Sequence, residues 1–385
     1  MKRIDRPDVI VVGAGPAGLA AAAEARRAGL RVEILEAADS VATSWRGHYD
    51  RLHLHTTRRL SSLPGIPIPE RMGRWIARDD FVAYLEEYAR QIEVPIACGT
   101  RLERLDRGAQ GWRLLTNRGH REVPQVVVAT GYNHTPRLPD WPGADAFEGE
   151  LVHSSRYRNA EPYRGRDVLV VGAGNSGAEI ATDLVESGAG QVWISIRTPP
   201  NIVRRDNPGG IAPQHLGILM CRLPVPAIDA LSLVMQRLFI GDLSRWGIRA
   251  PEKGVGTRVQ EEQIPLIDVG FLAELKRGRI KVVPGVTAFE RESVICGDRR
   301  VRAAAVIAAT GYSRGLDRLV GHLQVLDPRG RPARHAPDSH PQAPGLYFIG
   351  YSNPITGNLR QIAIDARRLG KVLAQQAERP LAVTA

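Results

Sequence analysis

The feature that most constrains the fold of this 385-residue chain is a glycine-rich loop that occurs twice. Each copy follows a short apolar run and precedes a run with helical periodicity, which is the arrangement of a strand–turn–helix unit. The two loops consist of Gly13, Ala14, Gly15, Pro16, Ala17 and Gly18, and of Gly172, Ala173, Gly174, Asn175, Ser176 and Gly177. Two such units about 160 residues apart predict two related domains rather than a solenoid.

The flanking patterns extend each loop into a βαβ unit. The predicted elements are strand Asp8–Val12, helix Ala17–Ala28 and strand Arg31–Glu36, then strand Asp167–Val171, helix Ser176–Ser187 and strand Gln191–Arg197. A second pair of similar segments, Val126–Tyr132 and Val306–Tyr312, predicts buried strands that end in a glycine turn. A strand at Gly345–Gly350 and a helix at Leu359–Ala377 complete the prediction. The fold class is therefore α/β, with two Rossmann-like dinucleotide-binding domains.

The order of these units predicts a discontinuous first domain, residues 1–158 and 303–385, around an inserted second domain, residues 159–302. The second domain carries an apolar insertion near residues 205–265, whose centre is Leu216–Ile240. Arg222, Asp229 and Arg237 interrupt this stretch, so it does not predict a helix that spans a membrane. Three interpretations remain open: a lid over the substrate site, an interfacial membrane helix with peripheral membrane contact, and a subunit contact in a homo-oligomer.

The strand after each loop indicates which nucleotide is bound. Amide groups at the helix N-terminus bind a diphosphate, and Glu36 can accept hydrogen bonds from ribose hydroxyls. The residue at the same distance from the first glycine of the second loop is Ser195, and Arg197 follows two residues further on. Serine and arginine can bind a 2′-phosphate that a carboxylate would repel, which predicts NADPH rather than NADH. The alternative is that Arg197 is a solvated charge at a strand end.

Composition excludes several other classes. The net charge of +11 comes from scattered arginines and only five lysines, without the clustered basic patch of a nucleic-acid binder. Cys98, Cys221 and Cys296 form no C-x-x-C pair, so we expect no metal site, no disulfide framework and no redox pair of a disulfide reductase. The chain opens without a signal-like segment, which predicts a cytoplasmic location.

Two sets of residues resemble the flavin-containing monooxygenase family. The segment from Phe147 through Gly149 and His153 to Tyr157 is similar to the fingerprint of that family, with Tyr where Baeyer–Villiger monooxygenases carry Trp. The segments Leu52-His53-Leu54-His55 and Ile267-Asp268-Val269-Gly270 resemble the plant YUCCA-type branch. The resemblance covers nearly the whole chain.

The resemblance implies an enzyme that uses FAD and NADPH, with electron transfer from nicotinamide to flavin. A flavin hydroperoxide formed with dioxygen would then oxygenate a small organic substrate at N, at S, or at an activated carbonyl such as a 2-oxo acid. The alternatives are an NADPH oxidase or FAD reductase without productive oxygenation, and a redox-sensing accessory flavoprotein. Indole-3-pyruvate, sulfides and amines all remain candidate substrates.

The resemblance also implies roles for particular residues. His55 is the candidate catalytic group, as a donor to the flavin or the peroxide, and the alternative is a packed loop histidine. Trp45 would lie near the flavin or fill the core, and His153 would be structural. The remaining residues expected near the cofactors are Ser44, Leu54, Ala129, Thr130, Gly131, Gly350 and Leu359.

Overall fold

The computed structural model describes residues 7–109, 111–206 and 210–377. The chain divides into two compact units. The first unit comprises the described parts of Met1–Arg46, Thr56–Thr135 and Tyr312–Ala385. The second unit comprises Gly47–His55 and the described part of Pro136–Gly311.

Strands and helices alternate through both units. The strands are β1 (Val9–Val12), β2 (Val32–Leu35), β3 (Ile96–Ala97), β4 (Leu102–Gly108), β5 (Gly111–Thr116), β6 (Gly119–Val123), β7 (Gln125–Val128), β8 (Thr135–Pro136), β9 (Glu150–His153), β10 (Val168–Val171), β11 (Val192–Ser195), β12 (Ile202–Arg204), β13 (Leu266–Asp268), β14 (Ile280–Val283), β15 (Val286–Phe289), β16 (Val294–Cys296), β17 (Arg299–Val301), β18 (Ala305–Ala308), β19 (Tyr312–Ser313) and β20 (Leu346–Phe348). The α-helices are α1 (Pro16–Arg27), α2 (Thr43–Arg46), α3 (Arg58–Ser61), α4 (Arg78–Gln91), α5 (Asn175–Glu186), α6 (Pro213–Met220), α7 (Val225–Phe239), α8 (Val255–Gln260), α9 (Phe271–Lys276), α10 (Asp317–Val320) and α11 (Asn358–Ala377).

The first unit is built on a five-stranded parallel sheet in the order β20-β7-β1-β2-β3. Its central strands β1 and β7 are buried along their whole length, as expected for a parallel sheet covered on both faces. Helix α1 packs against α11, and a Cβ on Gly370 would lie 2.9 Å from the carbonyl oxygen of Glu24. A side chain at position 370 would therefore prevent this close approach. The unit also contains a three-stranded antiparallel sheet in the order β4-β5-β6.

The second unit repeats this plan with a parallel sheet in the order β14-β11-β10-β18-β9. It also carries an antiparallel sheet, β15-β16-β17, and a parallel pair, β12 and β13. In each central sheet, the strand before the glycine-rich loop lies between strands on opposite sides, which is the topological switch point where α/β folds bind ligands. The predicted α/β class with two Rossmann-like units is thus confirmed.

The boundaries between the units differ from those expected from the sequence. Residues 136–158 and 303–311 belong to the second unit, because β9 pairs with β18 in its sheet. The short segment Gly47–His55 also belongs to it, since Tyr49 is part of its hydrophobic core. The other predicted strands and helices lie within about two residues of the observed ones, whereas the strands predicted at Val126–Tyr132 and Val306–Tyr312 end at Val128 and Ala308.

The predicted apolar insertion forms α6, α7 and α8 of the second unit. Within the described residues, no helix is both long enough and apolar enough to cross a membrane. The outward side of α7 is nevertheless apolar, with Val234 55% and Leu238 73% exposed.

Candidate dinucleotide-binding sites

The first loop requires glycine for steric reasons at two positions. Gly13 has φ +106°, and a Cβ there would lie 2.5 Å from the carbonyl oxygen of Ala129. A Cβ on Gly18 would lie 1.8 Å from the carbonyl oxygen of Gly13. Backbone atoms cannot move aside as a flexible side chain can, so both residues are fixed by the tight turn between β1 and α1.

Gly15 differs from the other two glycines because the space beside it is open. A Cβ on Gly15 would meet no heavy atom within 4 Å, although this residue caps α1 without a side-chain hydrogen bond. Pro16 follows at the first helical turn, where its missing N–H costs nothing. The free amide groups at this helix N-terminus and the room in front of them fit a diphosphate.

Glu36 follows β2 and braces the loop. Its Oε2 accepts a hydrogen bond from the Ala14 amide at 2.7 Å, and its Oε1 accepts one from the Ala38 amide at 2.9 Å. A carboxylate has about four acceptor positions, so two remain for ribose hydroxyls. The acid therefore holds the loop in position, and its contact with ribose hydroxyls stays a prediction.

The other residues predicted for the first site lie on the segments that follow the sheet's strands. Ala129, Thr130 and Gly131 follow β7, Gly350 follows β20, and Leu359 is the second residue of α11. The structure adds Tyr351, whose hydroxyl lies 2.7 Å from Thr130 Oγ1. Burial raises the pKa of Tyr351 to about 12, so it stays protonated and can donate.

Helix α2 carries the predicted Ser44 and Trp45 and is tied to the glycine loop. The Ala42 amide just before this helix donates to the carbonyl oxygen of Ala14. Ser44 is exposed, whereas Trp45 is half-buried and packs edge-on against Phe81 with ring centroids 4.5 Å apart.

The second loop has nearly the same geometry as the first. Gly172 has φ +107°, and its Cβ would lie 2.6 Å from the carbonyl oxygen of Ala309. A Cβ on Gly177 would lie 1.9 Å from the carbonyl oxygen of Gly172, whereas one on Gly174 would meet nothing within 4 Å. Asn175 Oδ1 accepts a hydrogen bond from the Ile267 amide of β13 at 2.6 Å. The second unit thus presents an equivalent open helix N-terminus.

The residues after β11 separate into one buried and one exposed group. Ser195 is 2% exposed, and its hydroxyl donates to the carbonyl oxygen of Pro284 at 2.9 Å. That hydroxyl is engaged inside the unit, so the predicted pairing of Ser195 and Arg197 on one phosphate needs correction. Arg197 is exposed, and its guanidinium has no hydrogen-bond or ion-pair partner among the described residues. The contact of Arg197 with a 2′-phosphate stays a prediction.

His55 lies in the second unit, beside helix α5. Its Nε2 is 2.9 Å from Oε1 of Glu179, which is 2% exposed, and its Nδ1 is buried without a hydrogen-bond partner among the described residues. The Tyr49 hydroxyl donates to Glu179 and accepts from Ser176 of the glycine loop. Burial raises the pKa of Tyr49 well above its usual range. Leu54, predicted near the cofactors, is buried in the same segment.

This polar cluster ties Gly47–His55 to α5 along more than one turn. Arg51 Nη1 lies 2.9 Å from Glu186 Oε2, and Tyr157 donates to Asp183 Oδ2 at 2.5 Å. Glu179, Asp183 and Glu186 occupy one side of α5, since they are four and three residues apart. Sequence reasoning missed this acidic stripe because its partners are remote in sequence.

The fingerprint residues have structural roles in the second unit. The Ser155 amide donates to Nδ1 of His153, so Nε2 carries the proton that is donated to the Gly311 carbonyl oxygen at 3.0 Å. Burial lowers the pKa of His153, which favours this neutral form. A Cβ on Gly149 would lie 2.4 Å from the Phe147 ring. These residues fix β9 at the edge of the sheet.

The described residues were predicted to carry neither a metal site nor a disulfide, and their cysteines and possible metal ligands are arranged as follows. These contain no group of three or more His, Cys, Asp or Glu side chains arranged to hold a metal ion. All three cysteines are free thiols: Cys221 is exposed, Cys98 is half-buried, and Cys296 is buried. Burial raises the pKa of Cys296 to about 11, so its reactive thiolate is disfavoured.

Three matches to known proteins concern the two-unit fold. A family model described as "Pyridine nucleotide-disulphide oxidoreductase" matches residues 10–216. A flavin-containing monooxygenase from Stenotrophomonas maltophilia aligns with 97% of this chain and 100% of its own at a TM-score of 0.73 and 23% identity. A cyclohexanone monooxygenase from Rhodococcus sp. Phi1 bound to NADP⁺ covers 97% of this chain and 85% of its own, at a TM-score of 0.73 and 17% identity. The class is thus a two-Rossmann oxidoreductase.

A curated relative defines the family more narrowly. The indole-3-pyruvate monooxygenase YUCCA1 of Oryza sativa subsp. japonica is 35% identical over 354 residues, which cover 90% of this chain and 87% of the relative. The chain belongs to the flavin-containing monooxygenase family and is similar to its YUCCA-type members. The predicted resemblance is confirmed.

Proposed function

We propose that the chain is an NADPH- and FAD-dependent monooxygenase that binds FAD in the first unit and NADPH in the second. The observation that carries the proposal is the pair of open glycine loops, one followed by Glu36 and the other by the unpaired Arg197. An acid suits the ribose hydroxyls of FAD, whereas a base suits the 2′-phosphate of NADPH. Bound FAD supplies hydride acceptance and dioxygen activation, which a monooxygenase needs.

The protein's own contribution is binding and orientation. Each helix N-terminus holds a diphosphate, and the strand-end residue selects the nucleotide. Tyr351 and Thr130 support the segment after β7, and the Tyr49–Glu179–His55 cluster supports the second loop through Ser176. A role of His55 as a proton donor in the reaction stays a prediction.

For the substrate we propose a small 2-oxo acid with an aromatic group, with indole-3-pyruvate as the compound to test first. The support comes from the relatives, several of which carry the name indole-3-pyruvate monooxygenase. An NADPH oxidase that releases only hydrogen peroxide is the competing function.

The test is a set of parallel measurements on the purified holoprotein with NADPH under ¹⁸O₂. With indole-3-pyruvate, we expect one NADPH and one O₂ consumed per product molecule, and one ¹⁸O atom in the product by mass spectrometry. Hydrogen peroxide should be a minor product. A stoichiometric yield of hydrogen peroxide with every 2-oxo acid, sulfide and amine tested would instead establish the oxidase. Protein that contains no flavin and takes none up would contradict both.

A further inference from the structure

Helix α7 presents an apolar side to solvent, which is unusual for an exposed helix. Pro226, Ala230, Val234 and Leu238 are four residues apart, so they line one side, and Leu231 lies next to them. We call these five residues the α7 apolar face. Leu231 is 39%, Val234 55% and Leu238 73% exposed. Contiguous exposed apolar side chains of this kind mark a surface that binds another protein or a membrane.

The segment before α7 also exposes apolar side chains. Leu219 at the end of α6 is 65% exposed, and Leu223 in the loop between the helices is 45% exposed. Cys221 between them is also exposed.

The exposed charges on this segment are positive. Between residues 211 and 241 the charged side chains are Arg222, Asp229 and Arg237. Asp229 faces inward, since its oxygens accept hydrogen bonds from the Thr257 amide and hydroxyl at 2.9 and 2.5 Å. Arg222 and Arg237 are exposed and have no ion-pair partner among the described residues.

We propose that the α7 apolar face, with Leu219 and Leu223, docks on an anionic lipid surface. Apolar side chains flanked by unpaired arginines are the pattern of helices that lie in the membrane interface, where lipid phosphates neutralise the arginines. A second copy of the chain fits less well. A two-fold contact through α6 and α7 would bring Arg222 and Arg237 to the same face twice, and residues 211–241 supply no exposed acid to pair with them. The proposal does not depend on the proposed enzymatic function.

The experiment is co-sedimentation of the full-length protein with vesicles of phosphatidylcholine alone or with about 30% phosphatidylglycerol. We expect binding to the anionic vesicles and loss of that binding at high salt, because screening removes the attraction of the arginines. The double variant Val234→Ser/Leu238→Ser should bind about tenfold or more weakly, since two side chains no longer enter the interface. Arg222→Gln/Arg237→Gln should bind the anionic vesicles about tenfold or more weakly as well.

The matched control is Leu138→Ser, which changes a leucine of the second unit that is 50% exposed but lies outside these helices. It should bind like the unsubstituted protein. A second readout needs no change to the apolar face: an environment-sensitive fluorophore on Cys221, in a Cys98→Ser background, should shift to the blue with anionic vesicles.

Three results would overturn the proposal. One is the absence of binding to anionic vesicles together with an unchanged Cys221 probe. Another is binding that Val234→Ser/Leu238→Ser leaves intact. The third is a concentration-dependent dimer in sedimentation that this double variant dissociates, which would identify a second copy of the chain as the occupant.

Discussion

The guanidinium of Arg197 extends from the end of β11 into solvent, without a partner among the described residues. We predict that Arg197→Ala raises the KM for NADPH about tenfold or more and leaves the KM for NADH nearly unchanged, because only NADPH carries the 2′-phosphate. Steady-state kinetics with both cofactors measure this difference. Arg249→Ala, which removes the same charge from another exposed site, is the control. Equal effects on the two cofactors would exclude Arg197 from phosphate recognition.

His55 and Glu179 form a pair whose two members can be separated by substitution. His55→Ala leaves the buried Glu179 carboxylate with Tyr49 but without the imidazole, so the free energy of unfolding should fall by about 2 kcal/mol. If His55 also takes part in the reaction, the kcat of the His55→Ala variant should be about a hundredfold lower than that of the unsubstituted enzyme. Glu179→Gln, which keeps an acceptor for Tyr49, should change kcat much less. A loss of kcat that is the same in both variants would reduce His55 to a structural role.

The buried His153 makes stability depend on pH. Its pKa is lowered below the ordinary 6.5, mainly by burial, so the unfolded chain binds the proton more readily. The contribution of His153 is therefore present above about pH 6.5 and decreases as the pH falls towards the folded pKa. His153→Gln should flatten the fall in unfolding free energy between about pH 7.5 and pH 5.5. Urea denaturation at the two pH values tests this, and an unchanged slope would contradict it.

At this scale the sequence predicted some positions and failed at others for a physical reason. Glu36 and the glycines were predictable because a tight turn and a strand end impose local requirements. The orientation of Ser195 was not, because its hydrogen bond to Pro284 crosses 89 residues of sequence. Glu179 was not predicted either, because its partners are remote in sequence and no neighbouring residue indicates a buried carboxylate.

The two glycine loops allow a comparison within one element. A Cβ on Gly177 would collide with the Gly172 carbonyl oxygen, whereas Gly174 has extended backbone with φ −83° and open space beside it. Gly177→Ala should lower the free energy of unfolding by about 2 kcal/mol or more. Gly174→Ala should cost no more than about 0.5 kcal/mol but raise the KM for NADPH about tenfold, because its methyl group occupies the diphosphate space. Gly174→Ala with an unchanged KM would place the diphosphate elsewhere.

The fingerprint segment shows what pattern reading can and cannot give for an element. Its spacing identified the family, but its residues serve as packing and hydrogen bonds around β9. The sequence could not show that β9 joins β18, because the two strands are about 150 residues apart and pairing across such a distance leaves no local signal.

For the whole molecule, the repeated unit was enough to predict two domains, and long-range packing decided where each one ends. The sequence did not show which core Tyr49 joins. In the structure it packs in the core of the second unit, where its hydroxyl bonds to Glu179 and Ser176. The apolar insertion was likewise predictable as a segment, whereas its outward-facing side required the structure.

If each unit binds its own nucleotide, the binding of FAD and of NADP⁺ should be separable by substitution. Gly15→Ala should remove the flavin absorbance of the purified protein and retain binding of NADP⁺, because its methyl group enters the first diphosphate space only. Gly174→Ala should retain the flavin and bind NADP⁺ more weakly. Absorbance spectra and calorimetric titration distinguish the two variants. Flavin loss in Gly174→Ala with an intact fold would contradict the assignment of one nucleotide to each unit.

The chain passes from one unit to the other four times, after residues 46, 55, 135 and 311. During synthesis, β1, β2 and β7 of the first sheet therefore leave the ribosome long before β20, which is their last neighbour. The nascent protein carries the open edge of β7 while residues 136–311 of the second unit are being made. Such an unpaired edge invites association with other chains, so this is the stage at which a chaperone would benefit the protein most.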